Sequence, residues 1–377
     1  MVPPMTRRWM LLVLAFGCGQ PAMKVTTGTA PVDAGVTQVD AGLSPPVRPD
    51  GGLSVNDVSW LLPLSNALPP LSDFFTPAQL TASQYQAFAT PRVVSARIDP
   101  CFPVAAGVCE RQVRLVAQGL DPDTLEVEDS AIHLFFVFEE AAWSDVRRDV
   151  YDLARQSGAR SAGVPLGVHP VLAQEGVNGA WGTAMRAFLT RHCTPARLHE
   201  VAVMNANVDW RFFRFSVMGG VLTRIATTGT GLFSLLPMDE VRLQRQGYGL
   251  PGLGAEVEPE GIVDADGGVV TTVLERIATQ RNVQGDVRDA IERLENPSDT
   301  PTPLIDCGVC HRATQVRVDH EQRRGLSARA ARFGLPAVTA PTPSLGRNNF
   351  HAFSYLGDQP AIIDRTVYES VQAANSL

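Results

Sequence analysis

The chain has 377 residues, 45% of them hydrophobic, and a formal net charge of −7 at pH 7. An acidic balance of this size argues against nucleic acid as a partner. Its only lysine is Lys24, which excludes P-loop, Schiff-base and Ser–Lys chemistry from everything that follows it.

The N-terminus opens with Arg7 and Arg8, an apolar run from Trp9 to Phe16, and then Gly17-Cys18-Gly19. A basic start before a short apolar core reads as an export signal, too short to span a membrane. Gly17-Cys18 resembles the cleavage box of bacterial lipoproteins, and the resemblance implies a diacylated Cys18 as the mature N-terminus. Residues 1–18 are therefore expected to be a signal peptide with a lipobox. Cleavage removes two arginines and takes the charge to about −9. Residues 19–52 repeat the unit VDAG and are rich in Pro, Gly, Ala and Asp. This composition buries too little apolar surface to offset chain entropy, so it is expected to be a disordered tether.

Residues 53–300 are expected to form an α+β body. "TPRVVSARIDPCF", "CERQVRLVAQGL" and "SAIHLFFVFEE" alternate or run apolar with β-branched enrichment and predict strands. "AAWSDVRRDVYDLARQSG" places Trp143, Val146, Val150, Leu153 and Ala154 on a helical period that ends at Gly158. "AWGTAMRAFLTRH" predicts a second helix, and "RLHEVAVMNAN", "WRFFRFSVM" and "GVLTRIAT" return to strands. Helices between two strand groups point to an antiparallel sheet as the centre. Beyond Thr230, "GIVDADGGVV" predicts a hairpin around an Asp-Gly turn, and "TVLERIATQRN" and "GDVRDAIERLEN" predict helices. Residues 301–377 are expected to be a small, mostly helical or irregular C-terminal segment that ends in a helix from about Asp364.

Export makes the environment oxidising. Cys101 and Cys109 flank "FPVAAGV" at the junction of two predicted strands and are expected to close a hairpin as a disulfide. Cys193 reads as a small buried residue at a helix end. Cys307, Cys310 and His311 form the pentapeptide "CGVCH". At this spacing two thiols can add to the vinyl groups of a haem while the imidazole coordinates its iron. The rival readings are a thioredoxin-like redox pair, a Cys2His2 zinc site completed by His320 or His351, and a plain local disulfide. A Pro/Thr loop precedes the motif, where a thioredoxin-like site needs a strand.

"CGVCH" resembles the attachment signature of cytochrome c. The resemblance covers the motif and at most the last seventy or so residues, and it implies one covalent haem c with His311 as proximal ligand to its iron. The chain also departs from that family, because no methionine follows His311 to serve as second axial ligand. His351, with aromatic neighbours, is the first candidate for that role. The others are His320, half a helical turn out of phase with His311, and Met185, Met204, Met218 or Met238 of the body. An open iron site is the remaining alternative.

Other strings carry less. Gly247-x-Gly249-x-x-Gly252 matches a dinucleotide fingerprint but contains Pro251 and opens no predicted helix. Asp264-Ala265-Asp266-Gly267 lacks the closing acid of a calcium loop. His133 in "IHLFF" reads as a core histidine, and Glu139-Glu140 as a helix start. His169, His192 and His199 have no carboxylate at ligand spacing. The expected function is that of an electron-transfer or redox-sensing lipoprotein of the cell envelope, held by its lipid on the outer membrane or periplasmic face and meeting a redox partner protein. It is expected to be an electron carrier or binding protein more readily than an enzyme. The alternative is a non-enzymatic surface lipoprotein that binds a protein or glycan, with Cys307-Cys310 a structural disulfide.

Overall fold

The structure is a computed structural model that describes residues 52–76, 79–80, 90–105, 108–205, 211–224, 241–242, 262–263, 269–270, 295–297, 314 and 351–377. The expected signal peptide, nearly all of the expected tether, the two expected helices between Thr271 and Asn296 (save Glu295 and Asn296) and the "CGVCH" motif lie outside the described residues.

Strands β1 (Ser59–Leu61), β2 (Pro91–Ala105), β3 (Val108–Gly119), β4 (Ala131–Phe138), β5 (Leu198–Asn205), β6 (Arg211–Met218) and β7 (Val221–Arg224) follow one another in space as in sequence. Each is antiparallel to the next. Strand β8 (Val241–Arg242) adds a short pairing to β6. The protein is thus α+β around an antiparallel meander, as its alternating strand sequences require. Between β4 and β5 the chain leaves the sheet for three helices, α2 (Glu140–Ser157), α3 (Pro170–Glu175) and α4 (Ala180–His192). A short α1 (Val55–Val58) precedes β1.

Helix α2 buries Trp143, Val146, Val150, Leu153 and Ala154, the five positions that its periodicity selects. Glu139 is its N-cap and Glu140 its first residue, so that acid pair does begin a helix. The expected hairpin also forms, with β9 (Ile262–Val263) antiparallel to β10 (Val269–Val270). Cys193 is buried where α4 ends.

The sheet has two unlike faces. One is apolar: Ala96, Ile98, Val113, Leu115, Leu134, Phe136, Val201 and Val203 enter a continuous core with Trp60, Trp181 and Phe188. The other is polar on β2 and β3, where Ser95, Arg97, Asp99, Gln112 and Gln118 are nevertheless buried. His133 lies on this second face and is only half-buried, so the core position expected for it is not the one it takes. A run of apolar residues in a strand hides which of two faces a lone polar residue joins.

Residues 351–377 cover the polar face. They form the hairpin β11 (Phe353–Leu356) and β12 (Gln359–Ile362), then helix α5 (Asp364–Ser376). Gln118 acts as a surrogate strand: its amide donates to the Tyr355 carbonyl and accepts from the Tyr355 N–H, both at 3.0 Å. Ser95 donates to the Phe353 carbonyl at 2.6 Å and the Tyr355 hydroxyl to the Leu62 carbonyl at 2.6 Å. Phe353, Tyr355, Ile362, Val367 and Val371 belong to the same core as the sheet. No helix among the described residues is long and apolar enough to cross a membrane.

The Cys101–Cys109 disulfide is present and ties β2 to β3. With eight residues of separation, its loss is expected to cost about 2.5 kcal/mol by loss of loop-closure entropy. Urea unfolding of the Cys101→Ser, Cys109→Ser double variant measures this. A shift below about 0.5 kcal/mol would mean that the strand pairing alone already restricts the unfolded chain.

Candidate functional site

Of the residues singled out for chemistry, Cys18, Cys307, Cys310, His311, His320 and Met238 lie outside the described residues. Among the methionines offered as ligands, Met185 and Met204 are enclosed in the core, whereas Met218 stands in solvent. Among the described residues no group of three or more His, Cys, Asp or Glu side chains is placed to hold a metal ion.

His351 is buried at the start of the C-terminal hairpin, where both ring nitrogens are engaged. Nε2 lies 2.7 Å from Asp129 Oδ1 and Nδ1 lies 3.0 Å from the Ser354 hydroxyl. In the neutral ring the carboxylate accepts from Nε2–H, which leaves Nδ1 to accept from the serine. The trio has the composition of a hydrolytic triad but the opposite exposure. Ser354 is buried, while the Asp129 side chain is 30% exposed, and a nucleophile needs the reverse. The arrangement braces the hairpin against the β3–β4 connection. For Nε2 of His351 to meet iron, Asp129 must give way.

Two further contacts gather at the N-terminus of α5. Thr314, three positions beyond His311, is buried and its hydroxyl accepts from the Asp364 N–H at 3.0 Å. That bond caps the first turn of α5, which would otherwise leave the donor unpaired. One residue earlier, the Ile363 N–H donates to the Ala352 carbonyl at 3.0 Å, and Ala352 adjoins His351. Thr314 and Ala352, the neighbour of His351, therefore both meet the N-terminus of α5.

Two polar clusters escaped sequence reasoning. His192, at the end of α4, places Nε2 2.9 Å from Asp149 Oδ2 on α2, and Arg191 donates to the same oxygen at 2.7 Å. Burial beside Phe138 and Phe188 lowers the His192 pKa against the pull of Asp149. Burial works against ionisation of Asp149 too, but the bonds from His192 and Arg191 outweigh it and hold its pKa down. The pair pins two helices together. The partners are 43 residues apart, so no spacing rule could have joined them.

The second cluster surrounds Asp57 on α1. Its carboxylate accepts from the Ser54 N–H (2.7 Å) and the hydroxyls of Ser54 (2.8 Å), Ser157 (3.1 Å) and Ser161 (3.0 Å). His169 lies near it, fully buried and stacked on Trp181 with centroids 3.9 Å apart. Neither ring nitrogen of His169 makes a hydrogen bond of normal geometry. Burial pushes its pKa down to about 4, with Asp57 and the Asn56 backbone opposing weakly. Ser157 ends α2 and Ser161 follows it by four residues, and all of these side chains are buried, so the cluster is a structural joint.

Comparison with protein-family models, curated proteins and solved structures finds no match to this chain.

Proposed function

We propose that this protein is an envelope-anchored lipoprotein that carries one covalent c-type haem and serves electron transfer or redox sensing. The observation that carries the reading is the intact "CGVCH" pentapeptide in a chain that opens with an export signal. Cys307 and Cys310 hold the porphyrin, and His311 is the proximal ligand of its iron. The haem supplies one-electron chemistry; the body supplies a rigid support and a surface for the redox partner. Lipid on Cys18 keeps the chain at the outer membrane or periplasmic face.

The contacts of Thr314 support placing the motif against the body, since three residues span at most about 11 Å. They also favour His351 as the second ligand over the methionines of the closed core. His351 would have to leave Asp129 to hold the iron through Nε2, and Nδ1–H would then donate to the Ser354 hydroxyl, which would orient the ring.

The test is a denaturing gel stained for haem after expression with an export signal in a host that has the attachment machinery. The full-length band is expected to stain, and Cys307→Ala with Cys310→Ala to lose the stain completely while the protein stays in the envelope. A colourless wild-type band would leave the alternative, a binding lipoprotein with a local Cys307–Cys310 disulfide. If the band stains, His351→Ala is expected to shift the visible spectrum of the iron. An unchanged spectrum would remove His351 from the site.

A further inference from the structure

Both half-cystines of the Cys101–Cys109 disulfide are exposed, whereas cysteine is among the residues most often enclosed in a fold. Their place in the sheet accounts for it. Pairing of β3 with β4 ends at Arg111–Phe138, but β2 and β3 go on pairing with each other as far as Ala105–Val108. The bond therefore lies on a two-stranded ribbon beyond the end of β4, and two strands alone are only marginally stable.

The ladder is also interrupted there. Between Asp99–Gln112 and Phe102–Glu110 the register slips, so that neither Pro100 nor Cys101 has a partner residue in β3. Such a bulge leaves its extra residue unpaired, and proline has no N–H to give to a neighbouring strand. At this level the sulfur bridge does the joining that backbone hydrogen bonds do elsewhere.

Phe102, next to Cys101, links the bridge to the buried charges. The Arg114 guanidinium lies 4.4 Å from the centre of its ring. Arg114 Nε donates to Asp99 at 2.7 Å, Asp99 accepts from Arg97 at 2.9 Å, and Arg97 meets Glu369 of α5 at 2.5 Å. The series runs without a break from an exposed bond to the helix that covers the polar face.

We infer that Cys101–Cys109 is a thiol–disulfide exchange site whose partner is an external dithiol, and that its reduction loosens α5. A thiolate of the partner attacks one sulfur of the bridge; the S–S bond breaks, a mixed disulfide forms and the other cysteine leaves as a thiolate. The partner's second thiolate then attacks the mixed disulfide and releases the remaining cysteine. The protein takes up two electrons and two protons, and the partner is left with its own disulfide. Exposed bridges are the more easily reduced ones, and this one is open to attack without unfolding of the chain. Once the bulge is unpinned, Phe102 leaves the Arg114 guanidinium, water reaches the Arg114–Asp99 pair, and screening weakens the hold on Glu369.

The test treats the full native chain with dithiothreitol, alkylates the thiols at intervals and maps them. Cleavage after Arg97 and Arg111 yields one peptide that holds both cysteines and none of the others. The expected result is two alkyl groups on this peptide in native buffer, at a rate that urea below the unfolding transition leaves unchanged. No alkylation, or a rate that climbs with urea in step with global unfolding, overturns the exchange site and leaves the bond a staple. Hydrogen exchange of the Cys101→Ser, Cys109→Ser variant reads the effect on α5 and leaves every other cysteine in place. The amides of Asp364–Ser376 are expected to exchange several-fold faster than in the wild type, and those of α2 at their wild-type rate. Phe102→Leu, with the bridge intact, is expected to speed α5 in the same way. An α5 that keeps its wild-type rate in either variant, or that speeds up only together with α2, overturns the coupling.

Discussion

Replacing Glu369 with alanine is expected to cost roughly 3–5 kcal/mol of stability, because it leaves buried arginine charge uncompensated. Glu369 projects from α5 onto the polar face of the sheet. There it meets Arg97 at 2.5 Å and, within its own helix, Arg365 at 3.1 Å. Asp99 completes the network, accepting from Arg97 at 2.9 Å and from Arg114 at 2.7 Å. The Arg114 guanidinium also lies 4.4 Å from the Phe102 ring centre. These side chains are at most 18% exposed, so solvent screens the pairs less than surface ones.

Burial alone would raise the Glu369 pKa, but Arg97, Arg365 and Arg114 outweigh it and pull the group down to about 2. A carboxylate depressed in the folded state stabilises above its ordinary range near 4.5 and loses that contribution as pH falls through 2. Urea unfolding at neutral pH reads the alanine variant, and a loss under about 1 kcal/mol would mean that the network is dispensable. The double variant Arg97→Met, Glu369→Leu is expected to lose less than Glu369→Ala, since Arg97 leaves together with the carboxylate and only Arg365 and Arg114 still lose it. Helix α5 is held by this network and by apolar contacts together, so the single variant should free the C-terminal residues first.

Lowering the pH from 6.5 to 4 is expected to remove about 3 kcal/mol of stability through His169 alone. The folded pKa of about 4 lies below the ordinary value of 6.5, so over this window the unfolded chain binds a proton that the native protein refuses. Stability is complete above the ordinary value and falls as pH drops towards the folded one. The groups around the ring are few: Asp57 attracts the proton and Arg160 repels it, while the Trp181 face offers no acceptor. His169→Phe keeps the stacking and removes the titration, so its stability should vary far less between pH 6.5 and 4.5. His192 acts in the same direction because burial lowers its pKa too, and the phenylalanine variant keeps that smaller slope. Parallel wild-type and variant curves across the window would show that His169 has a route to solvent.

The strands and helices of the body were legible because their cause is local. A period of two in "SAIHLFFVFEE" and a period near 3.6 in "AAWSDVRRDVYDLARQSG" are written residue by residue, and burial of one face follows from them. The Cys101–Cys109 bond was legible for the same reason, since a short apolar loop between two strands brings its ends together. Strand β1 and the hairpin β11–β12 were not. Three residues of strand carry no measurable period, and "FSYL" alternates only against a partner already in place. Its order depends on Gln118 and Ser95, more than 230 residues earlier.

The sequence alone determined the alternation of elements and the disulfide, and it holds the pentapeptide on which the proposed haem rests, because each depends on neighbours along the chain. The tertiary structure decided which charges meet. Asp149 finds His192, Asp129 finds His351 across 222 residues, and Glu369 finds Arg97. Such pairings depend on strand direction and register, and a shift of one residue sends every side chain to the opposite face.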